Sequence, residues 1–192
     1  MPVKTTRHEN DLFGNTRLMT KFTPRPYQTE LSDKWVKILK EHRLVYYAVE
    51  VRCWKTFISL MTAEKFWAKK VLFITKKKAI SSIKDDYSFF KDKFNITIIN
   101  YESLHKVKWE FDLLIIDEVH NIWSFPKPPL KYKNIKKQFW YLDIIIMSGT
   151  PSTESYSQYF HQINVSNHTV WNKYKNFYRW CDVFVKIKQI KT

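Results

Sequence analysis

Residues 113–121 read LLIIDEVHN, an unbroken apolar run that ends on two adjacent carboxylates. A run without polar alternation is what a strand buried on both faces requires, and such strands belong to parallel sheets. Asp117 and Glu118 stand immediately past the carboxyl end of that strand, with His120 close behind. An Asp at this place is the usual holder of the Mg²⁺ that bridges nucleotide phosphates, and the neighbouring Glu is placed to polarise an attacking water. The alternative use of both carboxylates is to cap a following helix through its dipole.

Similar apolar runs lie on either side: Leu44 to Val49, VLFIT from Val71 to Thr75, ITII from Ile96 to Ile99, and DIIIMS from Asp143 to Ser148. Helical patterns separate them. Leu31, Trp35, Ile38 and Leu39 mark one face of a helix over Gln28 to His42, and further helices are expected over Lys55 to Lys69 and Ala79 to Phe90. A short turn of helix is expected near Ser103, and Pro126 to Lys137 reads as a loop entering a surface helix. Strands alternating with helices predict an α/β fold, a mainly parallel sheet flanked by helices. Ligands of such sheets bind at the carboxyl edge, so the chemistry is expected just after Val49, Thr75, Ile99, Ile116 and Ser148. Beyond Pro151 the chain turns polar and aromatic, with helices expected near Glu154 to Gln162 and Thr169 to Asp182.

In 192 residues, 33 Lys+Arg against 18 Asp+Glu leave a formal charge of +15, while 44% of residues are hydrophobic. The chain is apolar enough to fold, which rules out a disordered basic tail. The charge favours a polyanionic partner, because each phosphate neutralised by Lys or Arg releases a counterion; a compositional bias toward Lys, Ile, Asn, Tyr and Phe is the other source of it. Cys53 and Cys181 provide neither a disulfide framework nor a metal quartet, which suits a reducing, intracellular compartment. No apolar window reaches the roughly 20 residues that span a bilayer, and the first residues lack the apolar core of a signal peptide. A cytoplasmic protein without membrane contact is expected.

The second informative stretch is AVEVRCWKTFISL, in which Lys55 and Thr56 follow the first strand and open a helix. A phosphate-binding loop wants Lys there for the β- and γ-phosphates and a hydroxyl for Mg²⁺. Taken alone, Lys-Thr at a helix start is also a cap and a solvated charge.

With these stretches in hand, the chain resembles the superfamily-two helicases and DNA translocases, particularly the Swi/Snf-like branch and its bacteriophage relatives. RPYQ (Arg25 to Gln28) is similar to the adenine-reading Q motif, AVEVRCWKT (Ala48 to Thr56) to motif I, and VLFITKK (Val71 to Lys77) to motif Ia. INYESL (Ile99 to Leu104) looks like motif Ib, DEVH (Asp117 to His120) like a DEAH-type motif II, and SGTP (Ser148 to Pro151) like motif III. The resemblance covers Arg25 to Pro151 in order. It implies a RecA-like first motor lobe, a P-loop NTPase fold, over residues 25–152, preceded by an extension (1–24) and followed by a helical segment or connector (153–192).

The same resemblance implies ATP with Mg²⁺ as cofactors. Arg25 and Gln28 would sit at the adenine, Arg52, Lys55 and Thr56 at the phosphates, Thr56 and Asp117 on Mg²⁺, and Glu118 at the hydrolytic water. His120 with Ser148, Gly149 and Thr150 would couple the nucleotide to nucleic acid, most naturally DNA, and to a second RecA-like lobe. Thr75, Lys76, Tyr101 and Ser103 would meet the sugar-phosphate backbone, which needs cations and hydroxyls but no base-edge code. Other uses remain open: Lys76, Lys77 and Lys78 as a solvated helix start, Tyr101 as a packed aromatic, His120 as a satisfied polar residue.

The chain departs from that family in two ways. Motif I ends in Gly-Lys-Thr, whereas Trp54 precedes Lys55 and Arg52 stands two positions before Trp54. Glycine is wanted where the backbone wraps a phosphate and takes dihedrals that a Cβ disfavours. Phage relatives tolerate Arg at position 52; Trp54 is the larger departure. The roughly 40 residues past Pro151 are also too few for another lobe of about 100, so a second lobe is expected in cis or in trans. Two functions compete: the first motor lobe of an ATP-dependent DNA helicase or translocase, and a nucleotide-dead module that binds nucleic acid. A regulator docking through Trp171, Tyr174, Phe177, Tyr178 and Trp180 is a third, set against the packing of those aromatics onto the fold. The isolated chain is expected to hydrolyse ATP at background rate.

Overall fold

A computed structural model describes residues 4–10, 16–48, 54–107, 110–122, 129–150 and 158–185. Strands β1 (Lys4–Asn10) and β2 (Thr16–Phe22) form an antiparallel pair of their own. The sequence predicts no element in this extension, since KTTRHEN and TRLMTKF are too polar to show a buried face.

Helix α1 (Pro26–His42) starts on Pro26, whose missing N–H costs nothing in the first turn. It ends at Arg43, which takes the left-handed conformation at φ 58° and donates its N–H to the Leu39 carbonyl. The chain then enters β3 (Leu44–Ala48), α2 (Lys55–Lys65), β4 (Lys70–Thr75), α3 (Ile80–Tyr87), β5 (Asn95–Asn100), β6 (Leu113–Asp117), α4 (Leu130–Phe139) and β7 (Asp143–Ser148). Strands β3 to β7 form one five-stranded, all-parallel sheet in the order β3-β7-β6-β4-β5. The α/β class and the parallel sheet agree with the continuous apolar runs.

Alternate residues of the central strands feed two cores. On one face Val71, Phe73, Leu113, Ile115, Ile145 and Met147 pack with Trp35 and Leu39 of α1, Phe57 to Ala63 of α2 and Ile83 of α3. On the other, Leu72, Ile74, Leu114, Ile116, Ile144 and Ile146 pack under Tyr132, Ile135 and Phe139 of α4. Because all five strands run the same way, the segments that follow them gather at one edge.

Helix α2 stops at Lys65, short of the expected Lys69, because Trp67 turns left-handed at φ 63°. The expected single helix over Thr169 to Asp182 is two pieces, a 3₁₀ turn at Val170–Lys173 and α6 (Phe177–Phe184). Each piece has its own side-chain cap, and the second divides them: Thr169 Oγ1 accepts from the Trp171 N–H at 3.2 Å at the start of the turn, and Asn176 Oδ1 accepts from the Arg179 N–H at 3.1 Å at the start of α6. Of the helix expected near Glu154, the described part is α5 (Gln158–Ile163). Phe160, Phe177, Trp180 and Cys181 form a third, small core, with Trp171 and Tyr174 packed against it. No helix among the described residues is long and apolar enough to cross a membrane.

Candidate nucleotide edge

Asp117 is the last residue of β6, Ser148 the last of β7, and Lys55 the first of α2 beyond β3. These three strands lie side by side in the sheet. The carboxyl edge therefore collects acid, hydroxyl and ammonium groups from segments far apart in sequence.

Asp117 is 8% exposed. Its Oδ2 accepts a hydrogen bond from Thr75 Oγ1 at 2.9 Å, and its backbone carbonyl accepts one from the Tyr101 hydroxyl. Burial raises the carboxyl's pKa above the usual range; the Thr75 bond and the Lys55 ammonium pull it down, and Glu118 pushes it up. Glu118 turns left-handed at φ 54°, which directs the chain off the strand into a 3₁₀ turn at Val119–Ile122. On that turn His120 Nδ1 lies 3.2 Å from Glu118 Oε2, 3.1 Å from Ser148 Oγ and 3.3 Å from Thr150 Oγ1. Ser148 Oγ also accepts from the Thr150 N–H at 3.2 Å. Burial lowers the His120 pKa; Glu118 opposes this, while Lys76 and Lys55 add to it.

The remaining expected residues are placed as follows. Trp54 has φ 52° and ψ 34°, the left-handed conformation, at the position where the resembling family has glycine, and it is 37% exposed. Lys55 and Thr56 open α2 in half-buried positions. Gln28 is buried, and its Oε1 accepts from the Arg25 N–H at 2.8 Å across the start of α1. Gly149 is half-buried and Thr150 exposed. Lys76 is exposed and Ser103 half-buried, on the segments that follow β4 and β5. Thr75 and Tyr101, expected at a nucleic-acid backbone, are 0% and 4% exposed and both bond to Asp117. Arg52 lies outside the described residues. Asp117, Glu118, His120, Ser148 and Thr150 thus form one cluster held by Thr75 and Tyr101, within electrostatic reach of Lys55 and Lys76; Gln28 and Ser103 make no hydrogen bond to it.

The donor set fits a Mg²⁺-bound phosphate chain at the protein end. A desolvated carboxylate beside a second carboxylate is relieved by a cation, and a helix start carrying Lys and Thr suits an anion. The anchoring roles of Thr75 and Tyr101 had no signal in the sequence beyond a hydroxyl at each strand end.

Residues 81–153 match the family model described as type III restriction enzyme, res subunit. The span takes in Asp117 to His120 and Ser148 to Thr150 and leaves Lys55 and Thr56 outside. No curated protein matches the chain.

Proposed function

We propose that the chain is the first motor lobe of an ATP-dependent DNA translocase, a superfamily-two helicase-like RecA lobe, a reading supported by the match of residues 81–153 to the res-subunit family model. The observation that supports this reading most is that Asp117 and Ser148 end adjacent parallel strands while Lys55 opens the helix after the neighbouring β3, within electrostatic reach of Asp117. Lys55 and Thr56 take the phosphates, Thr56 and Asp117 hold Mg²⁺, and Glu118 orients a water. Bound ATP·Mg²⁺ supplies the phosphoanhydride whose cleavage drives movement. Thr75 and Tyr101 fix Asp117 by its carboxylate and by its carbonyl. His120 ties Glu118 to Ser148 and Thr150, so a change at the carboxylate is felt at the end of β7. Lys76 and Ser103 face the DNA backbone, and a second RecA-like lobe closes the site.

Trp54 favours a second reading, a nucleotide-dead lobe that keeps its grip on nucleic acid. Its backbone is in the conformation that glycine adopts freely, yet it carries an indole next to Lys55.

The test is the affinity of the chain for a single-stranded oligonucleotide, with and without ATP·Mg²⁺, in the native form and in Lys55→Ala. On the first reading ATP·Mg²⁺ changes the native affinity and leaves the variant's unchanged. Identical affinities in all four measurements favour the second.

A further inference from the structure

Helix α4 turns Tyr132, Ile135 and Phe139 into the core and leaves Leu130, Lys133, Lys137 and Trp140 exposed. These four recur at i, i+3, i+7 and i+10, so they share one outward stripe, about 15 Å long at roughly 1.5 Å per residue. Lys133 and Lys137 form no ion pair among the described residues. Trp140 and Tyr141 close the stripe, 41% and 49% exposed, with their rings 6.2 Å apart and edge to face.

Charge around this stripe is one-sided. No Asp or Glu occurs from Val119 to Leu142 or from Ser155 to Cys181, whereas the two segments carry eight Lys and Arg. The fold packs them together: the Tyr132 hydroxyl and the Lys136 ammonium donate to the Asn164 carbonyl at 3.1 and 2.7 Å, and the Asn167 N–H donates to the Trp140 carbonyl at 2.9 Å. Asn172 Nδ2 bonds the Asn167 carbonyl, which brings the exposed Lys173 to the same face. Of the carboxylates that border it, Glu102 pairs with Lys131 at 2.5 Å and Asp143 with Arg43 at 2.7 Å. Glu110 lies beside Lys70, and Asp112 accepts the N–H groups of Lys69 and Lys70. Lys133, Lys137 and Lys173 are thus left without a pairing acid among the described residues. A row of such cations ending in an aromatic pair, with no fixed donor and acceptor code, follows a phosphate backbone and stacks an unpaired base. An acidic protein surface would engage the lysines and leave the two rings without a use.

Helix α4 leads into β7 and therefore runs against the strands. Its first turn lies at the carboxyl edge, where Lys131 grips Glu102 of the 3₁₀ turn Tyr101–Lys106 that carries Ser103, and Trp140 lies at the amino edge. We propose that α4 is a track for single-stranded nucleic acid, with phosphates on Lys133, Lys137 and Lys173 and a base stacked on Trp140. The track takes the strand on from Ser103 across the face of the sheet, and for that starting point it rests on the motor-lobe reading.

The test is fluorescence anisotropy of a labelled single-stranded oligonucleotide titrated with the full chain across a salt series. Lys133→Ala with Lys137→Ala is expected to lower the slope of log K against log salt by about two, one for each phosphate contact. Lys34→Ala with Lys37→Ala, exposed on α1 at the other face of the sheet, should leave the slope unchanged. Trp140→Ala is expected to lose affinity roughly fivefold or more at an unaltered slope, and Trp140→Phe to keep most of it. Every replaced side chain is exposed, so melting temperatures should stay close to native. Native slope and affinity in the α4 variants, with a lowered slope in Lys76→Ala, overturn the track and leave the motor-lobe reading standing. An equal loss of slope in the α1 pair makes the effect one of net charge and overturns it too. Native affinity in Trp140→Ala removes the stacked base and with it the single-strand site. Failure to bind any oligonucleotide sinks both the track and the motor-lobe reading.

Discussion

Thr75 Oγ1 donates to Asp117 Oδ2 at 2.9 Å, joining the ends of two neighbouring parallel strands through a pair of buried side chains. With the Tyr101 hydroxyl on the Asp117 carbonyl, the bond holds this residue from both its side chain and its backbone. On the proposed motor-lobe reading Asp117 would hold Mg²⁺, a role such support suits, because each freed rotor lets a ligand turn away.

Thr75→Val removes the donor while keeping the shape. The loss is expected at about 1–3 kcal/mol in urea unfolding, the cost of a buried acceptor without its partner. Burial already holds the Asp117 pKa above the usual 3.8, and Thr75 lowers it. The native state therefore binds a proton more readily than the unfolded chain, so the Asp117 contribution falls as pH rises above 3.8. Without Thr75 that fall is larger, and the variant's deficit should exceed at pH 7 its value near pH 4. Equal deficits at both pH values would show that Thr75 does not act on this carboxylate.

Asp86 gives a second pH signature, away from the site. Burial, and next to it the charge of Asp85, raise its pKa from 3.8 to about 6. Between those values the native state holds more protons than the unfolded chain, so stability is expected to decline as pH climbs through the window and to stay reduced above it. Asp86→Asn should flatten this decline and raise the melting temperature at pH 7, with little change near pH 3.5. A variant melting curve that parallels the native one from pH 3.5 to 7 would contradict the assignment.

The parallel sheet was legible because its strands are short continuous apolar runs, and the edge that carries Asp117, Glu118 and Ser148 followed from strand direction alone. What stayed hidden depends on side-chain direction and on unusual backbone. Thr75 closes β4 and Tyr101 opens the 3₁₀ turn after β5, places where a side chain could face either way, and only the folded sheet turns both hydroxyls onto Asp117. Trp54 and Trp67 take left-handed dihedrals that no propensity assigns to tryptophan, so neither the shortened α2 nor the exposed indole was readable. The strand pair Lys4–Asn10 and Thr16–Phe22 lacks the apolar alternation that reveals a half-buried strand.

Nucleic-acid binding should be steep in salt and weak in sequence preference. If roughly six or more phosphates are engaged, affinity falls by about three orders of magnitude between 50 and 200 mM salt. Lys76→Ala should lower the slope of log K against log salt by about one while leaving the ranking of sequences unchanged. A slope near zero in the native chain, measured by anisotropy across a salt series, would contradict phosphate tracking.

Calorimetric titration with ATP·Mg²⁺ tests the nucleotide edge most directly. Trp54 sits left-handed at φ 52°, so glycine at this position costs less in backbone strain and clears the indole from beside Lys55. Trp54→Gly is expected to bind ATP·Mg²⁺ at least about tenfold more tightly than the native chain, a difference of about 1.4 kcal/mol, and to lose that binding when Lys55→Ala is added. Trp54→Gly that takes up no ATP·Mg²⁺ at millimolar nucleotide, with its fold intact, would contradict a phosphate site at this edge.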